Sequence, residues 1–191
     1  MKDIPFISEE HIDKLLTWSG VTDALFSAHK KPQAQIDDIL FQSENNSLLT
    51  RAAWVTNYGI AVKTATIFPD NATKFPNLPT VQSVVILFDD SSGAPQAVLD
   101  GNLVTKWKTA GDSVLGAKLL AREESRVLAI LGAGKVAESM IEAYREIFPR
   151  LETIYVWNHH YEKAVALAAK KDAVPIKDLT EAVLAADIIS S

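Results

Sequence analysis

The spacing of apolar residues changes period along the chain, and the changes outline its elements. Ile4–Ile7 has the make-up of a short strand, and Ser8, followed by Glu9 and Glu10, predicts a helix start. Ile12, Leu15, Leu16, Val21, Leu25 and Phe26 then form a helical stripe with a break at Ser19-Gly20. From Ile36 the period shortens to that of strands. The segments IDDILFQ, SLLTRAAWV, YGIAVKTATIF and TVQSVVILFDD predict four of them, separated by turn residues at Asn45-Asn46, at Asn57 and through the loop FPDNATKFPNLP. Ser91-Ser92-Gly93 closes a hairpin into APQAVLDGN. Helical spacing returns at Leu103, Trp107, Ala110, Val114, Ala117 and Ala121, which predicts one long helix reaching Arg122.

Arg126 to Ala137 reads RVLAILGAGKVA, a run of branched apolar residues entering G-x-G-x-x-A, with the helical AESMIEAYREIF behind it. In that context each small residue has a task. Gly132 permits the tight turn, Gly134 admits a pyrophosphate close to the backbone, and Ala137 keeps the helix near the sheet. The backbone of Ala133, Lys135 and Val136 completes the turn, so that free N–H groups at the helix start face the phosphates. A strand at TIYVW, a helix at EKAVALAAKK, a short helix near DLTEAVLAA and a strand opening at ADIISS follow. The expected fold class is α/β: an N-terminal α+β domain over residues 1–122 with a largely antiparallel sheet, then the first part of a Rossmann dinucleotide-binding domain over 123–191. A full Rossmann sheet has about six strands, so the chain reads as a piece of a longer protein.

Composition narrows the function classes. With 48% hydrophobic and 23% charged residues the chain has the make-up of a soluble globular protein. A net charge of −5 and the lack of any Lys/Arg block argue against a nucleic-acid partner. Cysteine is absent, which removes disulfides, Cys-ligated zinc and a thiol nucleophile. No apolar run approaches the roughly 18 residues of a membrane span, and MKDIPFISEEH lacks an apolar signal core. A cytoplasmic location is expected. No metal site is expected, since the adjacent His159 and His160 point apart in any regular element.

Four places could carry chemistry. Lys63 shares a strand face with Gly59, Ala61 and Ala65, which leaves room around its ammonium for a carboxylate or a carbonyl-derived substrate; the other reading is a solvated lysine on an outer sheet face. Arg51, on the strand before, converges with Lys63 if the two strands pair, and its guanidinium can grip a carboxylate with two hydrogen bonds; alone it is a surface arginine. Lys108 and Asp112 lie one helical turn apart, either as a simple ion pair or, with Thr105 and Thr109, as an anion-attracting patch near the helix start. After the second Rossmann strand, Asn158 and His159 stand where an acidic residue would bind the ribose hydroxyls of NAD. The missing acid leans mildly towards NADP over NAD.

Taken together, AVKTATIFPDN, SVVILFDDSSGAPQAVLDGNLVT, KTAGDSVLGAKLLA, LAILGAGKVAESMIEAY and TIYVWNHHYEKAVALAA resemble the ornithine cyclodeaminase/μ-crystallin family, in that family's order and spacing from about Arg51 to Ser191. The resemblance implies a two-domain subunit whose first domain binds substrate and joins a second copy in a homodimer. It also implies an NAD(P)-dependent reaction at the nitrogen-bearing carbon of a small amino acid. It assigns Lys63 to the substrate carboxylate and reacting centre and Arg51 to the carboxylate. The family's second carboxylate-binding arginine falls at Lys108, with Ala110-Gly111 in place of an alanine pair; the family's acid lies beyond residue 191. Two enzyme readings follow, conversion of ornithine to proline with loss of ammonia, or direct reduction of a cyclic imino acid such as pyrroline-2-carboxylate. Lys108 in place of arginine tilts the choice towards the imine. A different class also fits, an NADPH-dependent protein that binds a small ligand without turnover, as μ-crystallin-like members do.

Overall fold

The computed structural model describes residues 3–75 and 77–191, and its elements follow from the residues that start and stop them. In chain order they are β1 (Phe6–Ile7), α1 (Glu9–Ile12), a 3₁₀ turn (Asp13–Leu15), α2 (Trp18–His29), β2 (Gln35–Ser43), β3 (Asn46–Val55), β4 (Gly59–Ile67), α3 (Asn71–Lys74), β5 (Val81–Phe88), β6 (Pro95–Asp100) and α4 (Gly101–Leu120). There follow β7 (Val127–Leu131), α5 (Lys135–Ile147), β8 (Thr153–Trp157), α6 (Tyr161–Lys171), β9 (Val174–Ile176), α7 (Leu179–Ala185) and β10 (Ile188–Ser190). The chain forms two compact units, one of residues 1–16 and 29–105, the other of 17–28 and 106–191. Helix α4 carries residues of both.

In the first unit a six-stranded sheet runs β1-β6-β5-β4-β3-β2. Only the β1–β6 pair is parallel; the rest are antiparallel neighbours, joined by short turns except between β4 and β5, where a longer loop intervenes. The β2–β3 hairpin turns on Glu44-Asn45, with Glu44 at φ 53° and Asn46 already in the strand, one residue earlier than the turn expected at Asn45-Asn46. The β5–β6 turn is held by Asp89, whose Oδ1 accepts from the hydroxyls of Ser91 and Ser92 and from the Ser92 N–H. Those bonds, the Ser91 hydroxyl first, hold its carboxyl down at about 2. The predicted loop from Phe68 to Pro79 contains α3, and Pro76 within it lies outside the described residues.

In the second unit a parallel sheet runs β10-β7-β8-β9. Its core is apolar from Leu128 to Ile130 on β7, at Ile154 and Val156 on β8, and at Ile141 and Tyr144 on α5. Helix α2 and the distal part of α4 belong to the same unit. Their packing centres on Trp18 and Trp107, whose ring centroids are 4.1 Å apart. A Cβ at Gly111 would come within 2.9 Å of Leu25 and 3.0 Å of Val21, so the glycine lets α2 approach α4 closely.

Two sequence expectations give way here, and one strand was not foreseen. The helical stripe does not break at Ser19-Gly20, because Thr17 Oγ1 accepts from the Gly20 N–H at 3.1 Å and caps a helix that includes both residues. Helix α4 starts at Gly101 rather than Leu103, because Asp100 Oδ1 takes the Asn102 N–H at 2.7 Å. The strand β9 falls in a segment that hydrophobic pattern left unassigned. It contains Pro175, which a ladder tolerates at its edge, and β9 is the edge strand of its sheet.

Candidate functional site

Among the described residues, two places stand out as able to hold ligand groups, one in each unit. In the second unit the parallel pair β7–β8 delivers both of its following turns to one end of the sheet. Gly132 leaves β7 at φ +137°, a conformation that favours glycine, and its N–H donates to the Trp157 carbonyl at 2.8 Å. The turn then passes through Ala133 to Gly134, the N-cap of α5, which no side chain caps. The N–H groups of Lys135, Val136 and Ala137 in the first helical turn therefore have no intrahelical partner and point out of the helix start. Ala137 is buried, as its place against the sheet requires.

A dinucleotide fits this turn on the structure's own terms. A Cβ placed on Gly132 or on Gly134 would meet no heavy atom within 4 Å, so the turn opens onto free space that a phosphate could enter. The cavity beside it is lined by Ile130, Leu131, Val136 and Met140 together with the turn itself. The one acid in the first turn of α5, Glu138, is neutralised: Lys170 and Lys171 of α6 lie 2.8 and 3.0 Å from its Oε1. The Lys170 hydrogen bond leads in holding its carboxyl below the ordinary range.

At the end of β8, Asn158 is half-buried and its Nδ2 donates to the His160 carbonyl at 3.0 Å. His159 and His160 are exposed, with ring centroids 5.1 Å apart in an edge-on arrangement. No acid stands at the strand end itself, but Glu162 in the first turn of α6 comes within 3.8 Å of His160 Nδ1. The sequence pattern did not anticipate that carboxylate.

In the first unit, register makes Arg51 and Lys63 direct partners across the β3–β4 ladder, with Asp38 opposite Arg51 and Val85 opposite Lys63. Directly opposed residues share a face, so Asp38, Arg51 and Lys63 lie in one row. Their charged ends are held differently. Lys63 is half-buried and its Nζ donates to Thr105 Oγ1 at 2.8 Å, which replaces the solvated outer-face lysine with one fixed under the start of α4. Arg51 remains 60% exposed and forms a two-bond fork with Asp38, Nε to Oδ1 at 2.7 Å and Nη2 to Oδ2 at 2.6 Å. The Arg51 hydrogen bond holds the Asp38 carboxyl below its ordinary value, and the same bond raises the guanidinium.

Further along α4, Lys108 lies 2.6 Å from Asp112 as an i,i+4 pair, with the lysine 63% exposed. Thr109, next to it, is half-buried. Asp38 escaped the sequence reading, and so did the partnership of Thr105 with Lys63. Asp38 was legible in principle, because counting back along β2 and β3 from their hairpin puts it opposite Arg51. That Thr105 contacts Lys63 depends on where α4 lands on the sheet, for which no local pattern speaks.

The chain resembles known proteins along nearly its whole length. The profile of the ornithine cyclodeaminase/mu-crystallin family matches residues 48–191. A Δ1-pyrroline-2-carboxylate reductase from Paracoccus denitrificans is 41% identical over 97% of this chain and 60% of its own length. The ketimine reductase mu-crystallin of mouse is 40% identical over 59% of this chain and 36% of its own. Among solved structures, a Thermococcus litoralis Δ1-pyrroline-2-carboxylate reductase in complex with NADH and L-proline superposes with a TM-score of 0.80 at 23% identity, covering 97% of this chain and 61% of that one. At that identity the likeness speaks to the fold. The chain thus spans about three fifths of the length of the curated relatives it matches along nearly its whole length.

Proposed function

The chain belongs to the ornithine cyclodeaminase/mu-crystallin family, and from that premise we propose that it forms part of an NAD(P)H-dependent oxidoreductase for small cyclic imino acids or their parent amino acids. The observation that carries the proposal is the open glycine turn at Gly132–Gly134, set at the head of a parallel β-α-β unit with its helix N-terminus uncapped. The substrate class rests on the similarity to a Δ1-pyrroline-2-carboxylate reductase along 97% of the chain.

In this reading residues 1–122 bind substrate and the second copy, and residues 123–191 begin the dinucleotide domain. Gly132, Ala133, Gly134, Lys135, Val136 and Ala137 offer backbone N–H groups to the pyrophosphate. Asn158 and His159 are assigned to the adenosine ribose, and Thr109 is a further cofactor-binding candidate. NADP is mildly favoured, since no acid stands at the β8 end to repel a 2′-phosphate, although Glu162 beside His160 works against that lean. The bound nicotinamide would exchange hydride with the carbon that bears nitrogen. Lys63 brings a positive charge to the substrate carboxylate and to the reacting centre. Arg51 and Lys108 add charge for the carboxylate, Lys108 as a single point where a guanidinium would give a fork.

The homodimer belongs to the same proposal. On the edge strand β2, Ile36, Ile39, Leu40 and Phe41 are each more than half exposed, an apolar edge of the kind that a second copy covers.

The experiment that separates the enzyme readings supplies the full chain with NADPH or NADH and pyrroline-2-carboxylate, and separately with NAD and ornithine. The expected result is loss of reduced nicotinamide with the imine and little ammonia from ornithine. Cofactor binding without turnover of either substrate would favour a ligand-binding protein instead.

A further inference from the structure

We propose that Thr105 is a positioning residue for Lys63, and that a ring of contacts through Gly101 and β5 fixes the lysine where the substrate carboxylate arrives. The proposal rests on the reading of Lys63 as a substrate-contacting group. Lys63 Nζ donates to Thr105 Oγ1 at 2.8 Å, and Thr105 Oγ1 donates to the Gly101 carbonyl at 2.7 Å. A hydroxyl has one hydrogen. With that hydrogen on Gly101, the threonine oxygen presents only lone pairs to the ammonium, so a swing of the Thr105 side chain about χ1 would break both bonds.

The second bond is itself anchored. Gly101 sits so close to β5 that a Cβ there would lie 2.0 Å from Ser83 Oγ and 2.5 Å from the Ser83 carbonyl carbon and oxygen. Asp100 Oδ1 holds the same turn by accepting from the Asn102 N–H at 2.7 Å. Ser83 pairs across the ladder with Ala65, two residues along β4 from Lys63 and on the same face. Lys63, Thr105, Gly101, Ser83 and Ala65 thus close a ring that begins and ends on one strand. A lysine has a long stem and many rotamers; the ring selects the rotamer that meets the helix start. β-Branched threonine suits the position, because its hydroxyl bonds the carbonyl four residues back while its χ1 is restricted.

The test compares Thr105→Val, which keeps the shape and removes the hydroxyl, with Thr105→Ser, which keeps the hydroxyl. Three quantities are read on the full chain: the rate at which a small acetylating reagent modifies Lys63, by peptide mass spectrometry; KM and kcat for pyrroline-2-carboxylate; and NADPH affinity. Thr105→Val is expected to speed modification of Lys63 severalfold and to raise KM about tenfold, the scale of one hydrogen bond to a charged group. NADPH affinity stays constant, and Thr105→Ser restores both values to within about twofold of the parent, as retention of that bond requires. Equal modification rates in the parent and Thr105→Val overturn the anchor whatever the activity does. So does a Thr105→Ser variant as impaired as Thr105→Val, or a loss of NADPH affinity in step with KM, since either marks a merely structural residue. If the modification rates differ as expected but the parent turns over no cyclic imine, the reading of the reaction fails, and the substrate role of the anchor fails with it.

Discussion

Arg51 and Lys63 face each other across the β3–β4 ladder, and each gives its charge to a different partner, Arg51 to Asp38 and Lys63 to Thr105. The two cations that the strand pattern brings together are thereby set apart in state. Lys63 is half-buried and tied to the start of a helix; Arg51 is exposed and already occupied by a carboxylate. A substrate carboxylate that takes the Nε–Nη2 edge of Arg51 must displace Asp38.

If Arg51 receives the substrate carboxylate at that edge, Asp38 competes with it. Its carboxyl titrates below the ordinary aspartate value because of the Arg51 hydrogen bond, so it is ionised throughout the neutral range. Asp38→Asn is expected to lower KM for a carboxylate substrate severalfold with kcat nearly unchanged, the pattern of improved uniform binding. Because the pair is solvent-exposed, its loss should cost little stability. An unchanged KM would remove Arg51 from the substrate site.

The glycines of the phosphate turn separate folding from binding. Gly134 has an ordinary φ of −93° and open space where a Cβ would stand, so Gly134→Ala is expected to fold normally and to lose NAD(P)H affinity by occupying the phosphate's place. Gly132, at φ +137°, should instead lose stability when replaced by alanine, by about 1–3 kcal/mol. Thermal-shift titrations with NADPH and NADH read both effects and the cofactor preference together. Undiminished affinity in Gly134→Ala would place the pyrophosphate elsewhere.

The exposed edge strand predicts association. Light scattering on the full chain should give the mass of a dimer, and Ile39→Lys with Phe41→Lys should give that of a monomer with the fold retained by circular dichroism. A parent chain that stays monomeric at high concentration would contradict the role given to β2.

Much of this architecture was legible from periodicity. The period-two runs became β2 to β6, and RVLAILGAGKVA became strand, turn and helix in the expected places. What escaped was set by single hydrogen bonds or by tertiary placement. Thr17 caps through its side chain and carries α2 over Ser19-Gly20, and Asp100 draws α4 back to Gly101. The short β9, with its proline, gains its partner only when β8 is beside it. For the candidate site, alternation put Lys63 on the face that meets Thr105, and the hairpin count could have placed Asp38 against Arg51. Nothing local connects Thr105 to Lys63, 42 residues away.

The most direct measurement is turnover by Lys63→Met in the full chain, with NADPH and pyrroline-2-carboxylate, alongside the variant's NADPH affinity. The predicted result is loss of turnover by orders of magnitude with cofactor affinity unchanged. Turnover comparable to the parent would remove Lys63 from the reacting centre and contradict the account at its core.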